Sequence, residues 1–285
     1  MSESAASVSA QPSFVDLHSH STASDGACVP ADVVREAHRL GLAALALTDH
    51  DTTAGLAEAV EEGKRLGVRV VPGVELSAVE DDLETHILGL HLSDISPIDS
   101  TLAELRDMRR SRAAKIVEQL NAHGVRITFE AVLEQAGGAA IGRPHVARAL
   151  IAEGWAADSR DAFDRYLAAG RPGYVSKERL TVRDAIALIH RAGGLAVVAH
   201  PSQSGTRERI EALVNEGLDG IEVKHPSHSN EDVLRLSALV EHFELVPSGG
   251  SDWHGGVASQ RLLGVMRVPG EWLERQDMRV QSKVA

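Results

Sequence analysis

Several features that mark other classes of protein are scarce or missing in this sequence. Cys28 is the only cysteine among 285 residues, which excludes an internal disulfide and a zinc site built from several thiolates. No apolar run approaches the roughly 20 residues that a membrane-spanning helix needs. Residues 1–13 are rich in serine and alanine, without the basic start and apolar core of a signal peptide. We therefore expect a cytoplasmic protein with a disordered tail over residues 1–13 and no membrane partner.

Aromatic residues and excess positive charge are also scarce. Aromatics make up 3% of the chain, so the core is expected to consist of alanine, leucine and valine. The net charge of −12 and the lack of a long basic stripe argue against duplex nucleic acid as a partner. The charge is uneven, because residues 101–180 carry a net +3 and the remainder carries −15. An acidic body suits cation binding, and a mildly basic segment suits an anionic substrate such as a phosphate ester.

Apolar runs of strand length alternate with helical patterns in two parts of the chain. The predicted strands cover residues 14–17, 42–47, 68–71, 86–92, 195–199, 220–223 and 245–247, and residues 263–268 are a candidate to close the sheet. Between these two parts, residues 96–173 show helical spacing and no buried strand. The alternation predicts a parallel sheet in a closed or distorted α/β barrel over residues 14–95 and 174–285, with a small helical subdomain inserted over residues 96–173.

Histidine and acidic residues lie at or just beyond the ends of the predicted strands, except that His86 begins its strand. In such a barrel the carboxyl ends of the strands meet at one face, where the active site lies. Residues two apart in an extended segment face the same side, so His18 and His20 point together. Imidazoles and carboxylates without thiolates suit Zn, Mn or Fe, so the sequence predicts a hydrolytic metal centre. The candidate ligands are His18, His20, Asp25, His50, Glu75, His86, His200, Asp252 and His254.

These motifs resemble those of the PHP (polymerase and histidinol phosphatase) superfamily over about residues 14–268. The resemblance is carried by Asp16-Leu17-His18-Ser19-His20, Ser24-Asp25-Gly26, Thr48-Asp49-His50-Asp51, Gly73-Val74-Glu75, Ala199-His200-Pro201 and Ser251-Asp252-Trp253-His254. Two further segments, Gly142-Arg143-Pro144-His145 and Gly170-Arg171-Pro172-Gly173-Tyr174-Val175, look like one subgroup. That subgroup contains bacterial nucleoside 3′,5′-bisphosphate phosphatases and a related 5′-to-3′ exoribonuclease. The resemblance implies a distorted (β/α)7 TIM-like barrel.

The resemblance also implies two or three divalent ions, which would be Mn, Fe or Zn. One ion would take His18, His20, Glu75 and Asp252; a second would share Glu75 and add His86 and His200; a third would take Asp25, His50 and His254. Asp16, Asp49 and Asp51 would orient ligating imidazoles or brace the loops. The implied reaction is in-line attack by a metal-bridging hydroxide on a phosphate ester, with His228 as the candidate acid for the leaving group. The implied substrate is a small phosphorylated nucleotide, a nucleoside 3′,5′-bisphosphate, or the 5′ end of short single-stranded RNA.

A second cluster of candidates is expected to hold substrate phosphate. Pro144 sits at a predicted helix start, whose free N–H groups favour an anion, and Arg143 and Arg171 can add bidentate contacts. His145 and Lys177 are further candidates for this phosphate site.

Three other functions remain open at the level of sequence. The first is a phosphatase for another small monoester such as histidinol phosphate, although the arginines of residues 96–173 argue against it. The second is an amidohydrolase, which shares the opening His-x-His, but no strand-end lysine suited to bridging metals is present. The third is a non-catalytic metal or nucleotide sensor, against which all nine ligand positions carry suitable residues.

Overall fold

The computed structural model of the chain describes residues 13–80, 83–136, 141–175, 180–255 and 262–284. The chain divides into two compact units. The first holds the described residues up to Asp99 and from Leu180 onward, and the second holds those from Ser100 to Val175. Apart from Ser13, the predicted tail lies outside the described residues. That residues 96–173 are an insertion into a barrel of residues 14–95 and 174–285 remains our proposal.

The described residues of the first unit form one mixed nine-stranded sheet. Its strands are β1 (Phe14–Asp16), β2 (Ala44–Leu47), β3 (Arg69–Glu80), β4 (Leu83–Leu90), β5 (Leu180–Thr181), β6 (Leu195–Val198), β7 (Gly220–Lys224), β8 (Val246–Gly249) and β9 (Val268–Pro269). Their order is β8-β7-β6-β4-β3-β2-β1-β9, and β5 pairs with β3.

The chain segments that follow β1 and β8 bring the two ends of the sheet together. The amide of Leu17 donates to the carbonyl of Gly249, at 3.0 Å, and the amide of Asp252 donates to the carbonyl of His18, at 2.9 Å. The sheet is thereby a nearly closed barrel, which confirms the predicted distorted TIM-like fold.

The prediction of a wholly parallel sheet is wrong for two strands: β9 pairs antiparallel with β1, and β4 is antiparallel to both of its neighbours. Strand β3 does not end at Val71 but continues to Glu80, and β4 returns antiparallel to both β3 and β6. Pro72-Gly73 suggested a strand end, yet Gly73 serves close packing instead: a Cβ there would lie 2.8 Å from Cγ2 of Thr48. The reversal brings the start of β4 to the barrel face where the parallel strands end.

Ten α-helices lie within the described residues. They are α1 (Pro30–Arg39), α2 (Leu56–Leu66), α3 (Ser96–Ala122), α4 (Phe129–Ala136), α5 (Arg143–Ala152), α6 (Ser159–Ala162), α7 (Val182–Arg191), α8 (Arg207–Asn215), α9 (Asn230–His242) and α10 (Gly270–Val284). A π-helical turn covers Phe163–Leu167 and a 3₁₀ turn covers Ser202–Ser204. None of the described helices is both long enough and apolar enough to cross a membrane.

Local signals in the sequence account for several helix ends. Pro30 occupies the first position of α1, where its missing N–H leaves no hydrogen bond unmade. Helix α2 ends at Gly67, whose φ of 74° is left-handed and suits glycine. The side chain of Thr181 accepts a hydrogen bond from the amide of Asp184 and so caps α7.

Alternation along the strands builds two layers in the first unit. Val15, Ala44, Leu88 and Val197 belong to one buried cluster, which also takes Leu273 from α10. Leu45 and Leu47 of β2 belong to another, packed against α1 and α2. Helix α10 was not predicted from the sequence, although it anchors the barrel: buried Gln276 donates to the carbonyl of Pro247 at 2.8 Å.

The second unit has its own apolar core. Ile116 and Leu120 of α3, Val146 and Leu150 of α5 and Leu167 are each nearly inaccessible to solvent. This core explains why residues of helical spacing without a strand can form a compact unit.

Candidate metal centre

The structure brings all nine predicted ligands into one connected cluster at the barrel face where the parallel strands end. His18 and His20 follow β1, His50 follows β2, and His200 follows β6. Asp252 and His254 follow β8, Glu75 lies on β3, and Asp25 lies in the loop after β1. His86 reaches the same place because antiparallel pairing sets it opposite Ser77, two residues beyond Glu75.

Glu75 lies at the centre of the cluster and is fully buried. Five imidazole nitrogens lie within 3.3 Å of its carboxylate: those of His18 at 3.1 Å, His20 at 3.2 Å, His50 at 3.3 Å, His86 at 2.8 Å and His200 at 3.1 Å.

The two oxygens of Glu75 divide these histidines into two sets. Oε2 faces His18, His20 and His50. Oε1 faces His86 and His200. A carboxylate that directs each oxygen to a different set of imidazoles has the arrangement that a bridge between two cations would need.

Two aspartates complete the cluster on opposite sides of His20. Oδ1 of Asp252 lies 3.0 Å from Nε2 of His20 and 3.5 Å from Nε2 of His18. Oδ2 of Asp25 lies 3.3 Å from His254 and 3.9 Å from His50. The Asp25 side chain is 55% exposed whereas those of His18 and His20 are inaccessible, so the cluster has a buried side and an open side.

The chemistry of these side chains fits divalent metal ions. Ligand atoms bound tetrahedrally at about 2.1 Å from a metal lie about 3.4 Å apart, close to the separations in the cluster. Three groups bring one ligand atom from each member within 4.8 Å of the others: His20, Asp25, His50 and His254; His18, His20, Glu75 and Asp252; and His50, Glu75 and His86.

The buried ring nitrogens of this cluster support the same conclusion. Among the described residues, neither ring nitrogen of His20 nor Nδ1 of His86 makes a hydrogen bond of acceptable geometry. A buried polar atom without a partner is costly, and a metal bond would remove that cost.

The electrostatics of the cluster favour positive charge. Burial lowers the pKa of His18, but the carboxylates of Glu222 and Glu75 outweigh it and hold this pKa well above the usual histidine value. Burial raises the pKa of Asp252, yet the nearby imidazoles of His20 and His225 outweigh this effect and hold that pKa well below the usual range. The cluster therefore holds a proton on His18 in the absence of a cation that displaces it.

We expect the affinity for Mn²⁺ to rise with pH, because His18 must release its proton before Nε2 can bind a metal. The rise should be about tenfold per pH unit for each displaced proton and should level off above the pKa of His18 in the folded protein. Titration calorimetry in two buffers with different ionisation enthalpies counts the protons released. Binding that releases no proton at about pH 6 would contradict this expectation.

Backbone strain coincides with the cluster. His200 and Asp252 have left-handed backbone conformations, with φ of 30° and 49°, and so does Asp51, with φ of 49°. Such conformations cost energy in residues other than glycine, and they persist only where the surroundings impose them. At these positions the strain aims side chains at, or beside, the cluster.

The three predicted supporting aspartates hold loops of the cluster. Asp16 accepts hydrogen bonds from the amides of Ser251, at 2.9 Å, and Gly264, at 2.7 Å. Asp49 accepts from the amide of Ser21, at 2.7 Å, and from two serine hydroxyls of the loop that carries Asp25. Asp51 accepts from the amide of Ser77 at 2.9 Å. These contacts brace the backbone that carries the ligands.

Two residues of the site were not assigned from the sequence. Glu222 of β7 is fully buried, and its Oε1 lies 2.9 Å from Nδ1 of His18. His225 is also buried, and its Nε2 lies 3.4 Å from Oδ2 of Asp252. An acidic residue inside the apolar run Gly220-Ile221-Glu222-Val223 was the signal available, since a buried charge requires a partner.

His228 lies in a setting that weighs against its proposed role as an acid. Its Nδ1 lies 2.9 Å from the carbonyl of Val223, and its Nε2 accepts a hydrogen bond from the amide of Ser202 at 3.1 Å. Both ring nitrogens are thus engaged with the backbone, and burial lowers its pKa. This geometry braces the turn after His200.

The predicted phosphate-binding residues lie in the second unit. Arg143 begins α5, and its guanidinium lies over the ring of Phe163, 5.7 Å from the centroid. Nδ1 of His145 accepts from the amide of Gly142 at 2.9 Å, which orients the first turn of that helix. Arg171 is exposed. Lys177 lies outside the described residues.

An α/β barrel whose strand ends carry a buried central carboxylate and eight other clustered imidazoles and carboxylates defines a class: metal-dependent hydrolases. The comparisons with known proteins specify the class further. The family model described as "PHP domain" matches residues 16–173, and the chain belongs to that family. It is a metal-dependent phosphoesterase of the PHP family, as the sequence predicted.

Similar proteins cover most of the chain. The 5′-3′ exoribonuclease Rnm of Escherichia coli is 38% identical over 247 residues, 84% of each chain. The 3′,5′-nucleoside bisphosphate phosphatase of Chromobacterium violaceum is 38% identical over 257 residues, 88% of this chain and 90% of that protein. A solved structure from Bifidobacterium adolescentis, described as a metal-dependent phosphoesterase, is 33% identical with a TM-score of 0.69 and covers 94% of this chain and 98% of that one.

Proposed function

We propose that the protein hydrolyses the phosphate ester of a small nucleotide, a nucleoside 3′,5′-bisphosphate, or acts on the 5′ end of short single-stranded RNA. The observation that carries the hydrolytic part is the buried Glu75 carboxylate among five imidazoles. The nucleotide part is supported by the relatives named for nucleoside bisphosphates and for 5′-3′ exoribonuclease activity. We propose further that duplex nucleic acid is not a substrate and that the protein acts in the cytoplasm.

The nine ligands would hold two or three divalent ions, which we propose are Mn, Fe or Zn. His18, His20, Glu75 and Asp252 would hold the first; Glu75, His86 and His200 the second; and Asp25, His50 and His254 the third. When bound, such ions supply Lewis acidity toward phosphoryl oxygens and lower the pKa of water.

The proposed ligands form a rigid, buried side and a partly exposed, open side of the site. Glu75 and the inaccessible rings of His18 and His20 form the rigid side, because none of them can move without disturbing the barrel. The side chains of His50, His200 and His254 are 27%, 30% and 32% exposed. Ligands on the open side leave room for phosphoryl oxygens, as a catalytic metal site requires.

A cavity of about 330 Å³ opens against His86 and His200 and is also lined by Thr85, Ser204 and Arg209. The Arg209 guanidinium is fixed there, since it donates to Glu80, Ser204 and Thr85, each at 2.7 Å. We propose that this cavity receives the part of the substrate beyond the phosphate that is hydrolysed.

Turnover of a substrate panel tests the proposed function. Protein reconstituted with Mn²⁺ is given adenosine 3′,5′-bisphosphate, AMP, histidinol phosphate and a short 5′-phosphorylated RNA, with phosphate and nucleotide release followed. We expect the bisphosphate or the RNA to have the highest kcat/KM. Turnover of simple monoesters alone would contradict the proposed nucleotide substrate. Bound metal without any turnover would instead support a non-catalytic sensor.

We also propose that Arg143, His145, Arg171 and Lys177 bind substrate phosphate. Replacing Arg143 by alanine should raise KM for the bisphosphate about tenfold, the loss expected for one charge-assisted hydrogen bond, with less effect on a monophosphate. Arg148→Ala, in the same helix α5, is the matched control and should change neither KM. Equal effects of Arg143→Ala on both substrates would remove this assignment.

A further inference from the structure

Strand β7 supplies none of the nine ligands, yet one of its side chains touches two of them. Both oxygens of the Glu222 carboxylate are used. Oε1 lies 2.9 Å from Nδ1 of His18, and Oε2 accepts a hydrogen bond from the backbone amide of His200 at 2.7 Å. Glu222 and His18 are both fully buried, so water does not compete for these contacts.

The contact with Glu222 fixes which ring nitrogen of His18 is free. Oε2 of Glu222 already accepts from the amide of His200, which can only donate, and Oε1 presents a second acceptor to Nδ1 of His18. Nδ1 of His18 must therefore carry a proton. In the neutral ring the lone pair is then on Nε2, which faces Glu75 at 3.1 Å and Asp252 at 3.5 Å.

The second contact holds the strained backbone of His200. The φ of 30° at His200 turns its side chain toward Oε1 of Glu75, 3.1 Å away. The hydrogen bond from its amide to Glu222 offsets the cost of that conformation.

We propose that Glu222 is a positioning residue that sets the metal-binding tautomer of His18 and the backbone conformation of His200 together. The inference rests on the proposed metal site and adds to it a single carboxylate behind ligands of two different ions. Oε1 of Glu75 faces His200 and Oε2 faces His18, so Glu222 couples the two sets that Glu75 divides.

Glutamine at position 222 keeps the shape of the side chain but cannot keep both contacts. If its oxygen faces the amide of His200, its NH₂ group faces Nδ1 of His18 and drives the proton to Nε2. If its oxygen faces His18, its NH₂ group opposes the amide of His200, donor against donor. Glu222→Gln should therefore weaken Mn²⁺ binding about 10- to 100-fold, the usual cost of losing a carboxylate behind a ligating histidine.

Asp219, just before the same strand, provides a matched control. It is buried too, and its Oδ2 accepts hydrogen bonds from Nε2 of His190 at 2.8 Å and from the amide of Ala196 at 2.9 Å. Asp219→Asn removes a carboxylate with the same kind of contacts from a place away from the cluster. It should lower the melting temperature while leaving Mn²⁺ affinity unchanged.

The test is calorimetric Mn²⁺ binding to metal-free wild type, Glu222→Gln and Asp219→Asn, with ¹H–¹⁵N spectra of the zinc-loaded forms. We expect weaker binding only in Glu222→Gln, with loss of the downfield Nδ1–H resonance of His18. Wild-type affinity and an unchanged resonance in that variant would overturn the inference. Failure of the wild type to bind any metal would instead overturn the proposed function. If Glu222→Gln does not fold, Glu222→Asp replaces it: this variant keeps the carboxylate and should retain the Nδ1–H resonance of His18.

Discussion

Glu75→Gln should lower kcat/KM by at least about 1000-fold, as expected when the carboxylate that holds the charge-stabilising ions of a site is lost. Glutamine has nearly the same shape but offers one oxygen instead of two and no charge. It cannot present an acceptor to both sets of imidazoles, His18, His20 and His50 on one side and His86 and His200 on the other. Metal content after reconstitution should therefore fall together with activity.

The measurement is steady-state kinetics beside elemental analysis of the same sample. Glu62→Gln is the matched control, because Glu62 is also largely buried and is paired with cations, Arg35 and Arg65, and belongs to none of the three metal-binding groups. It should keep full metal content and activity. A folded Glu75→Gln protein with wild-type metal content and turnover would be incompatible with a bridging role.

Gly250→Ala should lower the melting temperature by roughly 5–10 °C, because overpacking a rigid contact costs about 1–3 kcal/mol or more. A Cβ at this position would lie 2.4 Å from both the backbone nitrogen and the Cβ of His18. Neither backbone segment can move easily, because both are held by hydrogen bonds. The amide of Leu17 donates to the carbonyl of Gly249, and the amide of Gly250 donates to the carbonyl of Lys224. A shift of this backbone would change the 3.1 Å separation of His18 from Glu75, so we expect metal affinity to fall as well.

Thermal unfolding with and without Mn²⁺ measures both effects of this substitution. Gly142→Ala is the control, since a Cβ there meets its nearest heavy atom at 3.4 Å, an ordinary contact. It should shift the melting temperature little and leave the metal content unchanged. Equal behaviour of the two variants would show that the approach of Gly250 to His18 is not constrained.

Much of the candidate site could be predicted because the ligands sit where a barrel requires them. His18, His50 and His200 follow buried strands, and parallel strands end on one face whatever the details of their packing. The alternation of helices and strands likewise predicted the barrel. Local signals of this kind need no knowledge of which residues pair across the molecule.

The features that escaped prediction depend on contacts distant in sequence. The reversal at β4 could not be predicted from Pro72-Gly73, because a glycine is required at position 73 by close packing against the side chain of Thr48 and not by a turn. The role of Glu222 depends on His18, 204 residues away. Helix α10 buries only Leu273 and Gln276 among its described residues, and the buried amide of Gln276 donates to the distant carbonyl of Pro247. Such pairings are set by the fold and leave only weak traces in a single sequence.

The division of the cluster into a buried and an open side has a consequence for metal exchange. The set around His18 and His20 is inaccessible, whereas Asp25 and His254 are exposed by 55% and 32%. If the proposed ions bind, the one held by the open set should exchange most readily, and the one held by the buried set should contribute most to stability.

Anomalous diffraction from crystals of the Mn²⁺-loaded protein, recorded at the manganese edge, would locate the bound ions. We expect peaks within the three ligand sets given under the proposed function, with Glu75 bonded to the ions of two sets through different oxygens. A single peak away from Glu75, or full Mn²⁺ loading with no peak among these nine side chains, would contradict this expectation.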